Sequence, residues 1–158
     1  MIVLGLDPGL ARTGYGVVDV SREARYIRCG VLTTPPTLDL ADRLAMLGQD
    51  LTVLIQETQP AQAVVEEVYF GKNAKTAGIT AHARGVLLYI LRRHLIPVEH
   101  ITPSQVKSRL TGYGSADKHQ VQRLIAQRLH LTSVPEPDDA ADALAAALST
   151  TVPAHPTL

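Results

Sequence analysis

Three groups of acids in this 158-residue chain are placed where carboxylates can do chemistry: Asp7, the Glu66–Glu67 pair, and Asp138, Asp139 and Asp142. Asp7 ends the apolar run "IVLGLD" and stands before Pro8, which keeps its backbone extended. Gly9 leaves the chain there without side-chain cover, so a phosphate can approach. Glu66 and Glu67 end a second apolar run, "QAVVEEV". Side chains alternate faces along a strand, so only one of the two can share a side with Asp7. On a helix, Asp139 and Asp142 are three residues apart and Asp138 and Asp142 four apart, so either pair shares a face. Two carboxylates held about 4 Å apart repel by about 4 kcal/mol at an effective dielectric near 20. Divalent cations offset that repulsion, and an all-oxygen donor set points to Mg²⁺ or Mn²⁺. Singly, each acid has a plainer reading: Asp7 as turn chemistry, Asp138 and Asp139 as first-turn acids favoured by the helix dipole. Asp142 resists it, because it lies a turn inside "AADALAAAL".

The elements that must position these acids follow from hydrophobic periodicity. Strands are expected at 2–7, 15–20 and 25–32, with "PGLARTG" as the turn between the first two. Leu40, Leu44, Leu47, Leu51 and Leu54 mark a helix over about 38–57. A strand at 62–68 leads into a basic loop, "YFGKNAKTAG", then a helix over 77–94 and a short strand at 97–101. Thr102 and Pro103 start the helix that carries Lys107. Gly112 and Gly114 break it, and Ser115 can cap the next helix, which carries Lys118. The alanine-rich helix comes last, before a tail expected to be flexible at 151–158. If strands one and four are parallel neighbours, each delivers an acid to the carboxyl edge of one sheet, where open α/β sheets bind ligands. The order implies one domain, residues 1–150: α/β, a mixed sheet with an antiparallel meander at one edge and helices on both faces.

Charge is distributed to suit a polyanion beside an acidic site. The net charge is zero, yet residues 1–69 hold five arginines against nine acids, and residues 70–128 hold ten Lys/Arg against Glu99 and Asp117. The last thirty residues carry only Glu136, Asp138, Asp139 and Asp142. A basic surface flanking carboxylates is what cutting a phosphodiester requires. The single cysteine, Cys29, excludes an internal disulfide and suits a reducing compartment. With no leader and no membrane-length apolar run, a cytoplasmic location is expected. His82, His94, His100 and His119 lack metal-ligand spacing. The helix over 77–94 is apolar on more than one face, which suits a symmetric dimer contact.

Together "GLDPG", "GYGVV", "VEEVYFGKNAKTA", "ARGV", "PSQVKSRLTGYGSADKHQV" and "DAADALAAAL" resemble the RuvC family of Holliday junction resolvases across nearly the whole chain. The resemblance implies a ribonuclease H-like fold with a five-stranded mixed sheet. It implies a homodimer that cuts two opposed strands of four-way junction DNA in recombination and repair. It also implies dependence on Mg²⁺, with Mn²⁺ as a substitute and two ions per active site, and a branch-migration helicase complex as partner. Carried over by motif, the metal-binding catalytic acids are Asp7, Glu66, Asp139 and Asp142, which selects Glu66 over Glu67 and Asp139 over Asp138. Lys107 and Lys118 join them as catalytic lysines. Tyr69, Phe70, Lys72, Asn73, Lys75 and Arg109, with Lys107 and Lys118, are implied DNA contacts. Tyr69 holds the position of an aromatic that meets distorted bases, with adjacent Phe70 the competing ring.

Overall fold

The computed structural model describes residues 1–68 and 74–151, and for 74–76 the backbone alone. Strands β1 (Ile2–Asp7), β2 (Arg12–Asp19) and β3 (Arg25–Thr33) precede helix α1 (Leu40–Thr58). Strand β4 (Gln62–Glu66), helix α2 (Ala74–Arg93) and strand β5 (Val98–Ile101) follow, then α3 (Pro103–Thr111), α4 (Lys118–Arg128) and α5 (Asp138–Ser149). The five strands form one sheet in the order β3-β2-β1-β4-β5. β1, β2 and β3 are antiparallel neighbours, while β4 lies parallel to β1 and β5 parallel to β4. This is the α/β architecture expected, with the meander at one edge.

Alternation along the strands divides the core in two. Leu4, Leu6, Val17, Ala63 and Val65 face α1 and α2, packing on Leu47, Leu51, Leu87 and Leu91. Val3, Val18 and Val64 face α3, α4 and α5, packing on Val106, Ile125, Leu144 and Leu148. The second face explains the alanine-rich composition of α5. Opposite it the strands carry glycine: a Cβ on Gly5 would lie 2.0 Å from the Ala143 carbonyl oxygen, and one on Gly14 2.0 Å from that of Asp139. A Cβ on Gly16 would meet Leu144 backbone at 2.6 Å. Helix backbone therefore rests directly on sheet backbone, and small residues are needed on both sides of the contact.

Several boundaries differ from expectation, and β4 ends at Glu66, two residues short of the expected strand at 62–68. β2 begins at Arg12, three residues early, because Thr13 closes the turn: its hydroxyl donates to the Gly9 carbonyl at 2.6 Å. α2 begins at Ala74. α4 is capped by Asp117, not Ser115, since the Asp117 carboxylate accepts from Gln120 N while the Gln120 side chain accepts from Asp117 N. The expected cap at Thr102 forms, again with a reciprocal partner, Gln105. Among the described residues no helix is long and apolar enough to cross a membrane. Residues 152–158 of the expected tail lie outside the described ones.

Candidate active site

Strand pairing brings the first two acids together. Leu6 is in register with Val65, so Asp7 and Glu66 follow side by side at the carboxyl ends of parallel strands. Parity sends both toward α5: Asp7 shares a face with Val3 and Gly5, and Glu66 with Val64. Glu67 points to the opposite side, and its backbone N–H extends the pairing with β5 through the Ile101 carbonyl at 2.8 Å. Glu66 is thus the member of the pair that meets Asp7.

The third and fourth acids come from the first turns of α5, whose docking on Gly14 sets their height above the sheet. Gly14 pairs with Asp7 across the β1–β2 ladder, so the contact that fixes Asp139 backbone lies beside Asp7. Asp142 closes the group and, with Glu66, Lys107 and Lys118, lines a cleft of about 230 Å³. Electrostatics reports the same convergence. Burial, then the charges of Asp142 and Asp139, pushes Asp7 up to about 7. Burial, then Asp7 and Asp142, pushes Glu66 up to about 8. Asp142 is also raised, chiefly by burial, although Lys118 opposes the shift. At neutral pH the cleft therefore holds carboxyls that have difficulty all being ionised.

Side-chain orientation adds cations to the picture. Lys118 Nζ lies 3.2 Å from both Asp138 Oδ2 and Asp142 Oδ2. Burial works against the Lys118 charge, but the two carboxylates outweigh it and its pKa is raised. The ammonium beside Asp138 holds that exposed carboxylate below its ordinary range. Arg12 Nη2 pairs with Asp139 Oδ2. Among the described residues no three His, Cys, Asp or Glu side chains yet enclose a single point tightly enough to hold an ion. Asp139 faces Arg12 and Asp142 faces Lys118, while Asp7 and Glu66 have no cation directly paired with them among the described residues. The donor set still fits hard divalent cations: four carboxylates on one edge, three of them raised by burial and by one another's charge.

Of the other residues implied by resemblance, Lys107 lines the acidic cleft. Arg109 Nη1 is held 2.5 Å from Glu99 Oε1 and its side chain is largely covered, so it ties α3 to β5. Tyr69, Phe70, Lys72 and Asn73 lie outside the described residues, as does the side chain of Lys75. Sequence reasoning missed Arg12, because the hairpin partner was set to begin at Tyr15 and Arg12 fell in a turn. It also missed Arg84 on α2, whose Nε donates to the Glu66 carbonyl at 3.1 Å. Arg84 lies in the "ARGV" motif but carried no assigned role.

Residues 3–150 match the family model described as crossover junction endodeoxyribonuclease RuvC. A protein of that name from Roseiflexus sp. (strain RS-1) is 48% identical over 92% of this chain and 87% of its own length. The one from Desulforamulus reducens is 46% identical over 94% of this chain and 91% of its own. Thermus thermophilus RuvC, solved in complex with Holliday junction substrate, superposes with a TM-score of 0.89 at 32% identity, covering 94% of this chain and 92% of that one. The yeast mitochondrial Holliday junction resolvase shares the fold, with a TM-score of 0.67 at 16% identity over 94% of this chain and 78% of that one. With a family model matched across nearly its full length, the chain belongs to the RuvC family of crossover junction endodeoxyribonucleases.

Proposed function

We propose that this chain resolves four-way DNA junctions by paired nicks in two opposed strands, with Asp7, Glu66, Asp139 and Asp142 holding two Mg²⁺ ions, or Mn²⁺ as a substitute. The observation that carries the reading is the pairing of Asp7 with Glu66 at neighbouring strand ends, both pushed toward protonation by burial and by each other's surroundings. A fold gains nothing from such a pair by itself, because each carboxyl is easier to ionise in water. When bound, divalent cations supply the positive charge that activates water and stabilises the leaving 3′ oxygen.

The protein's own groups do the rest. Asp7 and Glu66 sit on strand ends whose register is fixed by backbone pairing, so their spacing does not depend on loop conformation. The α5 acids are held by backbone contact with Gly14. Lys107 and Lys118 bring positive charge to the cleft through which a phosphodiester would enter, and Lys118 opens α4, where free amides also favour an anion. Tyr69, Phe70, Lys72, Asn73 and Lys75 are assigned to the junction by motif. A homodimer through α2 suits a two-fold symmetric substrate: Tyr89 is exposed, and Val86 and Ile90 form an apolar surface with Leu44 and Gly48 of α1. A branch-migration helicase partner and a cytoplasmic location complete the reading.

The test is single-turnover nicking of a synthetic four-way junction beside a gel-shift assay. Asp7→Asn, Glu66→Gln, Asp139→Asn and Asp142→Asn should each abolish cutting while junction binding survives. Substantial cutting by any two of the four variants would sink the assignment of the acids. Junction binding by the wild-type chain with no cutting in Mg²⁺ or Mn²⁺ would favour a rival reading, a junction-binding module without catalysis of its own.

A further inference from the structure

The pair between Arg12 and Asp139 is not needed to hold the fold together. Both side chains are solvent-accessible, at 50% and 32% exposure, and exposed pairs of this kind contribute little to stability. Yet the pair is set up by backbone geometry on both sides. Arg12 begins β2 at the end of a tight turn, closed by the Thr13 hydroxyl donating to the Gly9 carbonyl at 2.6 Å. Arg12 and Gly14 are two residues apart on one strand and so face the same side. Gly14 receives the Asp139 backbone in direct contact, which leaves the Asp139 carboxylate opposite the Arg12 guanidinium.

We propose that Arg12 is a positioning residue that acts as a built-in competitor of the divalent cation: it holds the Asp139 carboxylate in the free protein and must be displaced before that carboxylate can become a ligand. The inference rests on the metal-dependent reading of the site. Arginine is suited to this role because it keeps its charge at all relevant pH values. The cation can win only by outbidding a partner already in place, so the Asp139 side of the cleft loads more weakly than the Asp7–Glu66 side. Lys118 stands in a parallel relation to Asp142, but it is shared with Asp138 and is not tied to one acid.

The measurement is Mn²⁺ binding to the purified, metal-stripped full chain, followed by loss of the free-ion electron paramagnetic resonance signal. Removing a half-exposed competing charge should tighten Mn²⁺ binding roughly three- to tenfold in Arg12→Ala and in Arg12→Gln. Arg12→Lys keeps the charge and should stay near the wild-type affinity. In an Asp139→Asn background, Arg12→Ala should change the affinity by less than about twofold, because the competed ligand is gone. Equal or weaker Mn²⁺ binding in both neutral variants, with wild-type circular dichroism, would overturn the proposal. So would a gain of the same size in the Asp139→Asn background, which would make Arg12 a general surface charge. Absence of Mn²⁺ binding in the wild type and in every variant would instead overturn the metal reading, and this proposal with it.

Discussion

Arg84 reaches from α2 to the end of β4, where its Nε donates to the backbone carbonyl of Glu66 at 3.1 Å. Its Nη2 lies 2.7 Å from His100 Nδ1 on β5. Arginine only donates, so that imidazole nitrogen is the acceptor. One side chain thus clamps a helix to two strand ends at the residue whose carboxylate lines the acidic cleft. Arg84→Ala should lower single-turnover cutting roughly tenfold or more, because small misplacements of a reacting group are costly. Junction affinity should change by less than about threefold, and Arg84→Lys should recover part of the rate. Equal losses of affinity and rate would mean that Arg84 contacts DNA, and a normal rate would remove it from the mechanism.

The raised carboxyls make a pH prediction whose sign is set by proton binding. Asp7 and Glu66, pushed up to about 7 and about 8, hold protons in the folded chain at pH values where the unfolded chain has released them. Their cost is absent below about pH 4, the range of unperturbed carboxyls, and grows as pH rises toward 8. In a chelating buffer the protein should therefore lose stability between pH 5 and pH 8. Asp7→Asn should recover roughly 2–4 kcal/mol of it at pH 8, as an upper range for one coupled group. Added Mg²⁺ should raise the melting temperature more at pH 8 than at pH 5. A melting temperature that rises with pH in chelator would contradict the origin assigned to these shifts.

Gly14 lets stability and activity be separated. A methyl group there would sit 2.0 Å from the Asp139 carbonyl oxygen and 2.5 Å from its carbon, and backbone cannot swing aside as a side chain can. The first turn of α5 must shift. Gly14→Ala should cost about 1–3 kcal/mol in urea denaturation and should lower cutting at least tenfold in protein that is still folded. Gly78 on α2 has nothing among the described residues within 4 Å of the same methyl, so Gly78→Ala should stabilise by about 0.5–1 kcal/mol. Cutting at the wild-type rate by Gly14→Ala would show that α5 is not the fixed platform described above.

How much of this was legible in the sequence depended on which interactions were local. The order of elements followed from hydrophobic periodicity, and Asp7 beside Glu66 followed from strand ends once the two strands were taken as parallel neighbours. Spacing left Asp138 and Asp139 equivalent, since either shares a face with Asp142, and the RuvC motif chose between them. The structure gives that choice a physical side: Asp139 backbone rests on Gly14, while Asp138 is exposed, bound to Lys118 and to Gln122 at 3.2 Å. Arg12, Arg84 and the Arg109–Glu99 pair were not legible, because each joins residues distant in sequence. An arginine's charge says nothing about which carbonyl or carboxylate it will find.

The contrast between Asp138 and Asp139 is also the sharpest test of Lys118. Its Nζ stands between Asp138 and Asp142 at 3.2 Å from each, and as the first residue of α4 it sits at the positive end of the helix dipole. A lysine there is locally unfavourable, and the two carboxylates offset that cost. Contacts made equally before and at the transition state change affinity and its salt dependence, whereas contacts that strengthen on reaction change the rate. Lys118→Ala should therefore lower single-turnover cutting more than tenfold while junction affinity falls less than about threefold. Asp138→Asn removes an exposed negative charge but no proposed metal ligand. It should bind the junction slightly more tightly and cut within about threefold of the wild-type rate, whereas Asp139→Asn should not cut. Equal falls in affinity and rate for Lys118→Ala would reduce that lysine to a tether. Lost cutting in Asp138→Asn, with cutting retained in Asp139→Asn, would exchange the roles of the two acids.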